Sequence, residues 1–138
     1  MITVPETLRT AIAAHARDDY PDECCGLLLG TFSGDDRTVM AVEPLGNARE
    51  DAARHHRFLI GPDEMRRADS DARARGLDIV GIYHSHPDCP AVPSQYDIDH
   101  AWPTYSYVIV AVSDVAITDM QSWRLRDDRT TFDAEPIE

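Results

Sequence analysis

The sequence contains no lysine. All 13 basic residues are arginine, set against 25 acidic residues of which 18 are aspartate, and the formal net charge is −12. Nucleic-acid affinity rests mainly on cationic contacts to phosphate, so this composition excludes a nucleic-acid binder. Neutral or basic partners suit such a surface better, and the charge keeps the chain soluble. GC-rich codons alone favour arginine over lysine. A cytoplasm of high salt is the sharper explanation, because screening relieves the self-repulsion of dense aspartate. Under that explanation stability falls in dilute buffer, and a salt titration of unfolding tests it.

Long apolar runs are also missing. Nothing approaches the ~20 residues that span a bilayer, so no membrane association is expected. The opening Met1-Ile2-Thr3-Val4-Pro5-Glu6 has neither the basic start nor the apolar block of a secretory signal, which points to the cytoplasm. Cysteine is scarce: Cys24 and Cys25 are neighbours and Cys89 stands alone. An odd count without a leader argues against a disulfide framework. The adjacent pair precedes an apolar run, so at least one of the two is expected in the core. With 138 residues and no repeat, low-complexity tract or linker, the expectation is a single domain over 1–138.

Residues 6–18 place Leu8, Ala11, Ile12 and His15 at helical spacing behind Pro5. Cys25 to Phe32 reads as a buried strand, Ser33-Gly34-Asp35-Asp36 as a turn, and Arg37 to Pro44 as a returning strand of a hairpin. Residues 45–56 are polar and irregular, and Arg57 to Ile60 reads as a brief strand. Gly61-Pro62-Asp63 opens a helix over 63–75, closed by Gly76 in the C′ position. Leu77 to His86 and Ser106 to Val112 are the strongest strands. Gln121 to Arg126 and Thr130 to Ile137 read as strands nearer the sheet edge. The order predicts an α/β fold with a mixed β-sheet flanked by helices.

The chemistry concentrates after the Leu77–His86 strand. Alternation puts Val80, Ile82, His84 and His86 on one face, so two imidazoles converge where the strand ends. Zinc suits imidazole nitrogen, and a catalytic site adds one more protein ligand and a water. Asp97 is the best third ligand. The loop from Pro87 to Pro93 holds three prolines and leads to Ser94, a natural N-cap, which sets Asp97 in the first turn of a short helix. A His-x-His pair is also common as surface polarity, and Ser-x-x-Asp is also an ordinary capping box. Cys89 is a rival ligand. Glu23, just ahead of a buried strand, is a candidate base for a bound water, although a carboxylate there can equally be an exposed loop acid. His55 and His56 are candidates for lining a substrate groove, and His100 for lying near the site.

Taken together, His84-x-His86-Pro87, with seven residues between His86 and Ser94 and two more before Asp97, resemble the motif of the JAMM (MPN-plus) metallopeptidases. The resemblance extends to Tyr20-Pro21-Asp22-Glu23-Cys24-Cys25-Gly26-Leu27-Leu28-Leu29-Gly30, then Glu43-Pro44, Asn47 and Arg57 to Pro62. It continues through Gly81-Ile82-Tyr83 and Ser106 to Val110, and covers roughly residues 5–126. It implies that His84, His86 and Asp97 bind one zinc per chain, with water as fourth ligand. It implies Glu23 as general base and proton donor to the leaving amine, and Ser94 as hydrogen-bond donor to the oxyanion. It implies an MPN fold, similar to that of cytidine deaminases, though the deaminase signature itself is missing.

Ubiquitin-chain-cutting relatives carry insertions that 138 residues leave little room for. The compact form is similar to the stand-alone bacterial branch, whose substrates are ubiquitin-like sulfur-carrier proteins with a slender Gly-Gly tail. Such a tail could add a strand to an exposed sheet edge. The expected activity is hydrolysis of an amide bond at that tail; the sequence assigns no oligomeric state. A non-catalytic zinc-ordered interaction module would need neither Glu23 nor Ser94. An iron oxygenase with two histidines and a carboxylate is usually all-β, and a metal-free scaffold would leave His84 and His86 as strand-end polar residues.

Overall fold

Tyr107-Val108-Ile109-Val110 has no polar face, and a strand of that kind must be covered on both sides. In the computed structural model, which describes residues 1–47, 58 and 60–138, every residue from Ser106 to Val112 is buried. The chain runs β1 (Ile2–Thr3), α1 (Glu6–Asp19), β2 (Cys25–Ser33), β3 (Asp36–Leu45), α2 (Pro62–Ala74), β4 (Asp78–Pro87), α3 (Gln95–His100), β5 (Ser106–Val112), β6 (Ile117–Leu125) and β7 (Phe132–Glu135). The sheet order is β1-β3-β2-β4-β5-β6-β7. Among the described residues, β1/β3 and β4/β5 are the parallel strand pairs and the others are antiparallel, so the sheet is mixed.

The two longer helices cover opposite faces. Ile12 and Ala16 of α1 pack with Leu28, Val39, Val80 and the even-numbered valines of β5. Ala68 and Ala72 of α2 pack with Leu27, Leu29, Ile79, Ile82 and Tyr107. α2 ends as its sequence dictates. Gly76 adopts φ +71, Leu77 N–H reaches Ala72 O at 2.8 Å and Gly76 N–H reaches Arg73 O at 3.0 Å, which caps the last carbonyls.

Several expectations are corrected. β1 is too short to show any period and was not foreseen. It pairs with β3 on one side and, through Ile2 and Ile137, with the residues after β7 on the other, so the two ends of the strand order meet. β6 starts at Ile117 rather than Gln121: Ile117 and Met120 pack against the core, but the exposed Thr118-Asp119 between them breaks the alternation a strand would show. β7 is confined to Phe132–Glu135 within the expected Thr130–Ile137. Of the brief strand expected at Arg57–Ile60, only Phe58 and Ile60 are described, and neither lies in a strand.

Val80 does not share a face with Ile82, His84 and His86. The β2/β4 register shifts between Leu28 and Leu29, whose partners are Gly81 and Ile79, leaving Val80 as an extra residue. That bulge turns Val80 toward the α1 side with Tyr83, while Ile79 and Ile82 face α2.

Candidate metal centre

The β2/β4 register joins residues far apart in sequence. Cys25 lies opposite His84, and the pairing continues past the strand end: Ser85 N–H reaches Cys24 O at 3.1 Å, and Cys24 N–H reaches Ser85 Oγ at 2.8 Å. Alternation then sets Glu23 on the same face as Cys25, beside His86. Glu23, His84 and His86 are all buried, and each offers a ligand atom within 4.8 Å of the others.

Asp97 approaches from the other direction. Ser94 caps α3 through a reciprocal box: its Oγ accepts Asp97 N–H at 3.2 Å and its N–H reaches Asp97 Oδ2 at 2.8 Å. This turns the Asp97 carboxylate inward, where it is buried. Its Oδ2 lies 3.2 Å from His86 Nε2 and its Oδ1 3.4 Å from His84 Nε2, while the two Nε2 atoms are 3.2 Å apart.

Those three separations test the fit of a metal. A tetrahedral zinc with ligands about 2.0–2.1 Å away would space them roughly 3.3 Å apart. The donor set fits. His86 Nδ1 sits 2.9 Å from Pro90 O; a carbonyl only accepts, so Nδ1 carries the proton and Nε2 keeps its lone pair for a cation. His84 is stacked on Phe58, with ring centroids 4.6 Å apart. Its buried Nδ1 has no partner among the described residues. Cys89 is exposed and lies outside the Glu23–His84–His86 group. Cys24 and Cys25 are both buried free thiols.

The two carboxylates differ in ionisation. Burial pushes Glu23 up to about 8. Burial would raise Asp97 as well, but its contacts with the His84 and His86 imidazoles and the hydrogen bond from Ser94 N–H outweigh it and hold Asp97 well below the usual carboxylate range.

The loop between His86 and Ser94 is pinned at several points. Asp88 N–H reaches Val112 O at 2.8 Å, and Trp123 Nε1–H reaches Ala91 O at 3.0 Å. His84 and Asp97 also form part of the wall of a cavity of about 500 Å³ whose other walls include Phe58, Tyr96, Trp102, Tyr105 and Tyr107. The sequence reading missed this cavity. Its signal was the gathering of four of the ten aromatic residues between positions 96 and 107. His100 is exposed, stacks on Tyr96 at 4.0 Å and lines the same cavity. His55 and His56 lie outside the described residues. No described helix is long and apolar enough to cross a membrane.

Residues 5–126 match the family model for prokaryotic homologs of the JAB domain. A desampylase of Haloferax volcanii is 39% identical over 106 residues, 73% of each chain. A CysO-cysteine peptidase of Mycobacterium bovis is 35% identical and covers 99% of this chain and 90% of its own. A solution structure from Desulfitobacterium hafniense superposes with a TM-score of 0.86 at 36% identity, over all of this chain and 92% of that one. With nearly its whole length matched, and the paired imidazoles at the end of β4 in register with the start of β2, the chain belongs to the prokaryotic JAB-domain family.

Proposed function

We propose that this chain is a cytoplasmic zinc metallopeptidase, one domain over 1–138. It hydrolyses an amide bond at the C-terminal tail of a ubiquitin-like or sulfur-carrier protein. The observation that carries this reading is the spacing of 3.2–3.4 Å among His84 Nε2, His86 Nε2 and the Asp97 carboxylate, with a second buried carboxylate, Glu23, beside them. His84, His86 and Asp97 would hold one zinc ion. When bound, zinc supplies Lewis acidity, lowering the pKa of water toward neutrality and polarising a carbonyl oxygen.

The chain's own residues divide the remaining work. Glu23, with a proton affinity shifted toward neutrality, takes the proton from the attacking water and passes it to the leaving nitrogen. The Ser94 hydroxyl accepts Asp97 N–H, which leaves its own O–H free to donate to the oxyanion of the tetrahedral intermediate. His86 keeps its lone pair directed inward because Pro90 O holds the opposite ring nitrogen. The relatives support the substrate class, since the H. volcanii protein is a desampylase and the M. bovis protein a CysO-cysteine peptidase.

The test is incubation of the protein with carrier conjugates from its own cell, followed by intact-mass measurement. The expected result is loss of the adduct at the carrier C-terminus, with about one zinc per chain in the active protein. Intact conjugates after incubation with the zinc-loaded protein would overturn the reading.

A further inference from the structure

Glu23 lies on the short connector between α1 and β2, outside the strand itself. A side chain that moves protons must be held to a fraction of an ångström, so the connector needs anchors. Two cross-links flank Glu23, and both end in the segment that carries His86. On one side Cys24 N–H reaches Ser85 Oγ at 2.8 Å. On the other, the Tyr20 hydroxyl donates to Asp88 Oδ2 at 2.7 Å, bridging 68 residues of sequence.

Asp88 is itself well placed to act as an anchor. Its backbone is left-handed, with φ 58, a conformation that aspartate and asparagine tolerate better than most residues. Its N–H is held by Val112 O. Two residues on, Pro90 O fixes the His86 imidazole. Tyr20 is half-buried and Asp88 exposed, so their hydrogen bond adds little to global stability. Its location between the connector and the His86 loop gives it leverage over geometry.

We propose that Tyr20 and Asp88 form a clamp that sets Glu23 against His86, making Tyr20 a positioning residue for the reaction. The proposal rests on the peptidase reading above. It assigns a job to the Tyr20 hydroxyl that packing of α1 does not require. Asn47 Nδ2 donates to the Glu23 carbonyl at 3.2 Å and, with the Ser85 link, holds the Glu23 backbone on the β2 side; the Tyr20–Asp88 bond ties the α1 end of the connector to the His86 loop.

The test uses the full zinc-loaded chain and a conjugate that the wild type turns over. Tyr20→Phe should lower kcat about tenfold with KM, zinc content and Tm nearly unchanged. Asp88→Ala should match it, and the double variant should be no worse than either single change, because both remove the same bond. Asp88→Asn keeps an oxygen acceptor and should hold kcat within about twofold. A Tyr20→Phe enzyme with wild-type kcat, or additive losses in the double variant, would overturn the clamp.

Amide hydrogen exchange at Glu23 and Cys24 supplies a readout that needs no turnover. It should rise about tenfold in Tyr20→Phe. If the wild type cleaves no conjugate, the peptidase reading has failed, and unchanged exchange in Tyr20→Phe then overturns the clamp separately.

Discussion

Glu23 and Asp97 are buried to nearly the same degree, 2% and 8% exposed, and both sit within reach of the same two imidazoles. Their ionisation nonetheless moves in opposite directions. Burial dominates for Glu23. For Asp97 it is overcome by the adjacent His84 and His86 imidazoles and the Ser94 N–H. The difference is one of supporting structure: Asp97 enters through a capped helix turn whose backbone donates to it, whereas Glu23 hangs from a connector. An anion that stays ionised is suited to holding a cation, and one poised near neutrality is suited to moving a proton.

Exchanging each carboxyl for its amide should separate the two roles. Glu23→Gln keeps size and burial but loses the proton carrier. It should lower kcat by about 10³-fold or more, within the range for removal of a general base, while zinc content stays at the wild-type level. Asp97→Asn should do the reverse, weakening zinc binding by at least about a hundredfold, measured by competition with a chelator. Zinc loss in Glu23→Gln would place Glu23 among the ligands, and full zinc affinity in Asp97→Asn would remove Asp97 from them.

Ser94 sharpens the contrast because it belongs to the Asp97 half yet has a proposed duty in catalysis. Ser94→Ala should lower kcat roughly a hundredfold and destabilise the fold by about 1 kcal/mol through the lost cap. Ser94→Thr, which retains an acceptor and a donor, should recover most of both. If Ser94→Ala changed stability alone, with kcat intact, the hydroxyl would be a cap and nothing more.

These two halves were unequally legible in the sequence. The segment from His84 to Asp97 is local: strand alternation, a proline-stiffened loop and an N-cap place its residues within fourteen consecutive positions. Glu23 could be offered from its position only as a candidate base that could equally be an exposed loop acid, and the family resemblance alone chose between the two, because its place depends on the Cys25–His84 register, and register is a property of the assembled sheet. The same reason hid the turn of Val80 away from the histidines, since a bulge is set by both strands. The aromatic cavity escaped notice because Tyr96, Trp102, Tyr105 and Tyr107 follow no single period and converge only when α3 docks above β4 and β5. The Tyr20–Asp88 bond joins two loops and has no pattern at all. The hairpin, the helices and the strand Ser106–Val112 were readable because each announces itself within its own residues.

The smallest expected effect is on stability, and it turns on the sign of each shift. In the metal-free protein the Glu23 carboxyl titrates near 8 when folded, against an ordinary 4.5. Between those values the native state holds a proton that the unfolded chain releases, so stability falls as pH rises across that window. Asp97 behaves oppositely. Its folded value lies below the ordinary 3.8, so its contribution is present above that point and lost as pH falls through the folded value. Thermal unfolding in chelator should therefore show a decline on each side, with a different residue responsible for each. Glu23→Gln should flatten the alkaline limb, leaving the variant more stable than wild type at pH 8, because the amide never has to be buried as an anion. The acid limb should survive in that variant and disappear in Asp97→Asn. An alkaline limb that persists in Glu23→Gln would mean that the connector ahead of β2 places the Glu23 carboxyl in a better-solvated position, and the contrast between the two acids would have to rest on catalysis alone.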